Sequence, residues 1–321
     1  MSPSSTTPRN AALLGVTYGM GAGALWGLVF LAPELVNDFT PLQLSIGRYL
    51  AYGALGGLLI GRRWPRVLNI VTRDEWRNLA ILALTGSTLY YILLSAAIQW
   101  GGIAMTSLIV GFLPVIVTII GSREHGAVAL RKLTLSLLLC VGGTVCISWQ
   151  ALNPADPGMI TTRLAGLLCA IGALASWTIF AILNNRCLIR LSHVSAHDWS
   201  LLTGVLAGLQ TALLIPVSVV FEPLHHSGSA WLRFAVISVA VASLASVVGN
   251  GLWNRMSRLL PLTLAGQMVL FETLFALLYG FLWDRRLPTA LEAAAFLLVV
   301  LSVTSCISVH RREGKAFAAP Q

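Results

Sequence analysis

Residues 15–26, GVTYGMGAGALW, return 151 residues later as residues 166–177, GLLCAIGALASW. Gly15, Gly21, Ala22, Ala24 and Trp26 recur as Gly166, Gly172, Ala173, Ala175 and Trp177. Each copy opens a set of five apolar stretches. An odd number of spans per copy forces the second copy to enter the membrane from the opposite side. Two like halves of opposite topology place one site between them that either face can reach, which is the architecture of a secondary transporter. The five identities carry weight because they coincide with a ten-span count and a half-length period.

The spans lie near residues 12–32, 41–60, 77–98, 102–121, 133–152, 163–183, 199–221, 231–252, 261–283 and 289–309. The 321 residues are 56% hydrophobic and 10% charged, with mean hydropathy +0.80. A soluble domain carries roughly 25% charged residues, and a bilayer is crossed by about 20 apolar residues. The expected fold is therefore an all-α membrane protein of ten transmembrane helices, in two inverted five-helix repeats. Residues 1–160 form the first and residues 161–321 the second, meeting at the turn cluster of residues 153–158. Each carries a short tail, and residues 1–10 and 311–321 are too short to fold alone. The first span is full length and part of the repeat, so it is not read as a cleavable signal peptide.

The net charge of +9 is distributed for a membrane rather than for nucleic acid. With the N-terminus inside, 16 of the 21 Lys and Arg fall on the inner side, and Arg163, Arg233, Arg285 and Arg286 fall outside. This bias sets both termini in the cytoplasm. Arg285 and Arg286 run against the rule. The five cysteines, Cys140, Cys146, Cys169, Cys187 and Cys306, form no C-x-x-C pair, so neither a disulfide framework nor a metal site is expected. His225 and His226 read as solvated loop residues. There is no phosphate-binding loop and no hydrolase or zinc-protease signature. No cofactor, no metal and no catalytic residues are expected.

Glycine recurs every fourth residue at Gly15, Gly19, Gly23 and Gly27, and again at Gly53, Gly57 and Gly61. That spacing lets another helix backbone approach closely. It reads first as packing and second as a smooth surface for sliding. Trp64, Trp76, Trp100, Trp199, Trp231 and Trp283 fall at span ends and read as interfacial anchors. Trp26, Trp177, Tyr90 and Tyr91 lie in span interiors, where they either pack the bundle or line a cavity. Adjacent tyrosines cannot both face one cavity squarely.

These features together resemble the EamA branch of the drug/metabolite transporter superfamily. The residues that carry the resemblance are GALWG at 23–27, TPLQLSIGRY at 40–49, AMTSLIVGFLPVIVTIIGSREHG at 104–126 and SRLLPLTLAGQMVLFETLFALLYGFLWDRRLP at 257–288. Within that branch the chain is most similar to the YddG-type aromatic amino-acid exporters. The resemblance implies a central cavity lined by spans 1, 3, 4, 6, 8 and 9. It matches Arg48 to the family's span-two arginine, Glu124 and Asp284 to the acidic position closing spans four and nine, and Pro114 to the span-four proline. These four are structural or gating candidates. The second half departs from the pattern, with Glu272 standing opposite Pro114.

Ionisable residues inside a membrane are costly and usually functional. Glu272 lies mid-span. It can hold a substrate ammonium, carry a proton, or neutralise Arg48 as a structural pair. Arg48 reads as capping carbonyls or reaching the outer interface rather than binding substrate. Asn250 and Asn254 share a helix face with Ser246, and Gln267 stands five residues before Glu272. Such amides hydrogen-bond a zwitterion or a neighbouring helix. The cavity candidates are Trp26, Tyr90, Tyr91, Trp177, Asn250, Gln267 and Glu272. No cationic cluster lies within the spans, which argues against phosphorylated substrates.

The expected function is export of small metabolites by alternating access, with amino acids as the class that the resemblance implies. The partners are that small molecule and the lipid bilayer, with no nucleic acid and no required oligomer, in a bacterial inner membrane. Small multidrug relatives of the wider superfamily place a carboxyl in their first span. Neither first-span copy here has one at its centre, which favours downhill flow. Two alternatives stay open: a proton-coupled antiporter, and a membrane-embedded lipid enzyme.

The charge bias makes a first prediction. Single cysteines placed at Ser5 or Ala318, in a cysteine-free background, should escape an impermeant thiol reagent applied outside sealed cells. Labelling from outside would reverse the topology.

Overall fold

A bilayer offers no water to backbone N–H and C=O groups, so a chain this apolar closes its hydrogen bonds within helices. The computed structural model describes residues 8–123, 128–151, 160–191, 193–222, 225–283, 285 and 287–318. All regular elements among them are helical. The passes are α1 (Ala11–Leu35), α2 (Pro41–Ile70), α3 (Arg73–Gly102), α4 (residues 103–121), α5 (Leu130–Ala151), α6 (Thr161–Arg190), α7 (Ala196–Phe221), α8 (Gly228–Leu259), α9 (Leu262–Trp283) and α10 (Ala293–His310). Eight of them, all but α4 and α5, are long and apolar enough to cross a membrane among the described residues. Glu124, Asp284 and the linker expected at residues 153–158 lie outside the described residues.

Local chemistry fixes where helices begin. Thr40 accepts from the Gln43 amide at 3.2 Å while the Gln43 side chain accepts from the Thr40 amide at 3.0 Å. Thr72 and Glu75 repeat this reciprocal cap at the start of α3. Both satisfy amides that a first helical turn leaves unpaired. Pro33, Pro114 and Pro216 each stand in the first turn of a short helix that completes a pass. There the missing N–H costs nothing.

The span expected over residues 102–121 is not one helix. Gly102 has φ 84°, a left-handed conformation that favours glycine, and the helix restarts at Leu113–Gly121 behind Pro114. The freed carbonyl groups find side-chain donors. Thr106 donates to the Gly102 carbonyl at 2.9 Å, and the Cys140 thiol reaches the Gly111 carbonyl at 3.8 Å.

Packing pairs the passes in a regular way. α1 lies against α8 and α9, and α6 lies against α3 and the start of α4. α2 packs on α7, α4 on α9, and α5 on α10. Exchanging α1–α5 with α6–α10 maps this set of contacts onto itself. The glycine stripe of α1 is what lets it meet α9 so closely. A Cβ on Gly23 would sit 2.8 Å from the Glu272 amide nitrogen, and one on Gly27 would sit 2.9 Å from that of Ala276. Gly53 and Gly208 make the equivalent contact between α2 and α7, at 2.9 Å.

One expected anchor is not at an interface. Trp199 is fully buried and donates its indole N–H to Asn184 at 3.0 Å. It opens α7, and its neighbours α6 and α8 extend past it, to Arg190 and Leu259.

Glycine contacts of this kind predict a contrast in stability. Gly27→Ala should lower the thermal midpoint of the purified protein in detergent, with a cost of about 1–3 kcal/mol from overpacking. Gly57→Ala, where an added Cβ meets nothing within 4 Å, should leave the midpoint unchanged or raise it.

Candidate functional site

Two π-helical segments shape the centre of the bundle. Leu84–Thr88 lies within α3 and Ala242–Gly249 within α8. A π turn bonds each amide to the carbonyl five residues back and is found often at functional sites. A carbonyl in each segment also accepts a side-chain donor from a neighbouring helix. Ser176 of α6 donates to the Thr85 carbonyl at 2.7 Å, and Trp26 of α1 donates to the Ala245 carbonyl at 3.1 Å. Glycines make room for the aromatic side chains beside these segments. A Cβ on Gly86 would lie 2.2 Å from the Phe180 ring, and one on Gly249 would lie 2.9 Å from the Trp26 nitrogen.

Between the two segments lies a small cavity, narrower in this conformation than a substrate needs. Trp26, Trp177, Tyr90 and Phe180 supply aromatic walls, and Val29, Tyr49 and Gly86 complete the lining with three polar residues, Arg48, Asn250 and Glu272. Trp26 and Trp177 meet edge to face at 5.5 Å. Trp253 packs against both, at 5.0 and 5.3 Å, and closes the aromatic group from one side. Trp26 is held by a second bond to Asn250 Oδ1 at 3.2 Å, and Asn250 in turn donates to the Tyr52 hydroxyl at 3.4 Å. Asn250 therefore has partners for both ends of its amide. The Trp177 indole and the Tyr90 hydroxyl have no hydrogen-bonding partner among the described residues.

Arg48 and Glu272 are each 6% exposed and line the same cavity. No ion pair of 4.0 Å or less joins them. Arg48 is held by other means. Its Nε donates to Ser246 at 3.1 Å, and its guanidinium lies 4.5 Å from the Tyr91 ring centre and 5.1 Å from that of Tyr49. Its Nη1 is buried without a partner among the described residues. The Glu272 carboxylate likewise has no partner among them. Its position follows from the helix turn at Met268–Leu270, where the Glu272 amide bonds the Val269 carbonyl at 2.9 Å.

The structure thus brings Trp26, Tyr90, Trp177, Asn250, Glu272 and Arg48 together and sends two cavity candidates elsewhere. Tyr91 is turned behind Arg48 against Tyr49, since its neighbour Tyr90 takes the cavity side. Gln267 is fully buried in a separate polar knot, bonding Thr118 at 3.2 Å and the Ser136 and Ser302 hydroxyls at 3.4 Å. Those hydroxyls also donate to each other's backbone carbonyls across α5 and α10, at 3.0 and 2.7 Å, and Gln267 joins that knot from α9. Arg48 neither caps carbonyls nor reaches an interface, because Ser246 and two tyrosine faces hold it at the cavity. Pro114 stands in the first turn of the second half of α4. Trp253 is not among the sequence candidates, because the charges of Arg255 and Arg258 suggest that span eight ends before it. Its three-residue spacing from Asn250 is the signal that would have found it. Gly86 has a weaker signal, the polar run TGST inside an apolar span.

Comparison with known proteins fits this geometry. A model of the EamA-like transporter family matches residues 13–149. The chain is 31% identical over 317 residues to the inner membrane protein YtfF of Escherichia coli, covering 91% of this chain and 94% of that one. It is 23% identical over 260 residues to the uncharacterized transporter YoaV of Bacillus subtilis, covering 80% and 84%. A solved crystal structure superposes with a TM-score of 0.70 at 19% identity, over 93% of this chain and 98% of that one. That last likeness is one of fold.

The two bonds of Trp26 predict unequal effects of like substitutions. Trp26→Phe leaves Asn250 Oδ1 without its donor and removes the second donor to the Ala245 carbonyl, and should cost about 1–3 kcal/mol. Trp177→Phe removes no protein hydrogen bond and should cost less. Thermal unfolding of the two purified variants checks the difference.

Proposed function

The chain belongs to the EamA-like transporter family, and from that premise we propose that it exports small zwitterionic metabolites, amino acids above all. One observation carries the substrate class: Arg48 and Glu272 line one aromatic-walled cavity without pairing with each other. A guanidinium with a free Nη1 suits a substrate carboxylate. An unpartnered carboxylate suits a substrate ammonium, and the indole and phenol faces suit an apolar or aromatic side chain. The free Trp177 N–H and Tyr90 O–H add two donors to the same space.

Residues 1–160 and 161–321 act as two inverted repeats, and the cavity between them is exposed to one face at a time. The exchange-symmetric packing, with α1 on α8 and α9 and α6 on α3 and α4, supports this division. So does the pair of π segments in corresponding passes. The likeness to YtfF supports placement in an inner membrane, with the charge bias setting both termini in the cytoplasm. One chain holds a complete cavity, so a monomer suffices. Flow runs down the substrate's own gradient, with no chemistry performed on the substrate.

Glu272 also keeps the proton-coupled reading in play, since it is a membrane-buried carboxylate open to the site. Counterflow of a panel of amino acids into proteoliposomes separates the two. Glu272→Gln should retain downhill flux with a half-saturating concentration raised about ten-fold or more, the usual weight of a charged hydrogen bond. An imposed pH gradient should not concentrate substrate in wild type. Uphill accumulation driven by that gradient, and abolished in Glu272→Gln, would make the protein a proton antiporter.

A further inference from the structure

A second, closed cavity, too tight in this conformation to hold a water molecule, lies beside Trp253, walled by α4, α6, α8 and α9. It lies toward the face that carries the chain's ends, where Leu260 meets Gly15 and Thr263 bonds His310 at 2.7 Å. Trp253 lines this second cavity and packs on the two tryptophans that line the first. It is the partition between them.

The second cavity holds an unusual set of polar atoms. Among the described residues, five buried side-chain atoms have no hydrogen-bonding partner, and three of them belong to residues that line this space. They are Trp253 Nε1, Asn185 Oδ1 and Ser257 Oγ. The Asn185 amide is fixed by its other end, which donates to the Ser257 carbonyl at 3.2 Å. Buried polar atoms are nearly always satisfied, and each exception calls for a reason. Three in one cavity, one a donor, one an acceptor and one either, point to a partner absent from this conformation.

We propose that this cavity is the collapsed, terminus-side half of the permeation path and a transit subsite for the same zwitterionic substrate. The inference rests on the transport reading. Opening it requires Trp253 to leave the Trp26–Trp177 group, and α9 to part from α4. That contact is tight now: a Cβ on Gly266 would lie 2.8 Å from Val117, and Thr118 bonds the Thr263 carbonyl at 3.4 Å. Once open, the indole N–H meets the substrate carboxylate, and the Asn185 carbonyl and Ser257 hydroxyl meet its ammonium. In the substrate-free open state, water fills the same roles.

The test is a single cysteine, Ser257→Cys, in a chain whose five native cysteines are replaced, reconstituted in sealed vesicles with a water-soluble methanethiosulfonate reagent. Modification should occur from the terminus-bearing face, and a transported amino acid should change its rate several-fold. Adding Trp253→Ala should let reagent from the opposite face reach the introduced thiol as well. If Ser257→Cys disturbs folding, Asn185→Cys reports on the same space. A folded variant that resists modification from both faces, yet labels fully once unfolded in detergent, overturns the proposal, whether or not it transports. Modification from the terminus-bearing face at a rate that no transported amino acid changes supports the opening cavity while rejecting the substrate assignment.

Discussion

Inside a bilayer every backbone polar group must be paired within the protein, and this constraint governs the site. The π segments in α3 and α8 lie beside the cavity, and a carbonyl of each also accepts a donor from outside its own helix. Ser176 takes the Thr85 carbonyl and Trp26 takes the Ala245 carbonyl. Trp26 thus does two things at once. It ties α1 to the π segment of α8 and presents an aromatic wall. Irregular backbone is tolerated at membrane depth only where protein or a cavity surrounds it, so the irregular segments and the cavity coincide by necessity.

The same economy explains how two side chains of opposite ionisable type line one cavity without pairing. Arg48 is occupied by Ser246 and by the faces of Tyr49 and Tyr91, which hold a cation with little loss of its charge. Glu272 is set by the turn at Met268–Leu270 and by the absence of a side chain on Gly23, whose Cβ would press on its amide. Both groups are therefore positioned by the scaffold, neither by the other.

Much of the fold is written in features that repeat. The Trp26 and Trp177 copies, the ten apolar stretches and the glycine spacing each report a periodic or long-range constraint, which a single sequence preserves. Arg48 and Glu272 are legible for a different reason, since a charge in a span is costly enough to stand out. Local geometry is less so. Whether Asn250 or Gln267 faces the cavity depends on helix rotation, and two amides in apolar spans look alike. Tyr90 and Tyr91 pose the same question one residue apart. The π segments leave no periodic mark, because one extra residue in a turn is invisible against Ala, Ser and Val. Trp253 is hidden by Arg255 and Arg258, whose charges mark a span end that α8 overruns.

The close contact between Gly53 and Gly208 joins α2 to α7, and in the two-repeat reading those helices are each other's counterparts. A contact between counterparts lies on the axis that exchanges the halves, so it is the same contact whichever way the molecule faces. A disturbance there raises or lowers both states together and alters how fast they interconvert. A disturbance at Gly23 or Gly27 lies off the axis and has a distinct counterpart at α6, so it weighs on one state more than the other. In that reading the chain's glycines divide into those that set a rate and those that set a balance.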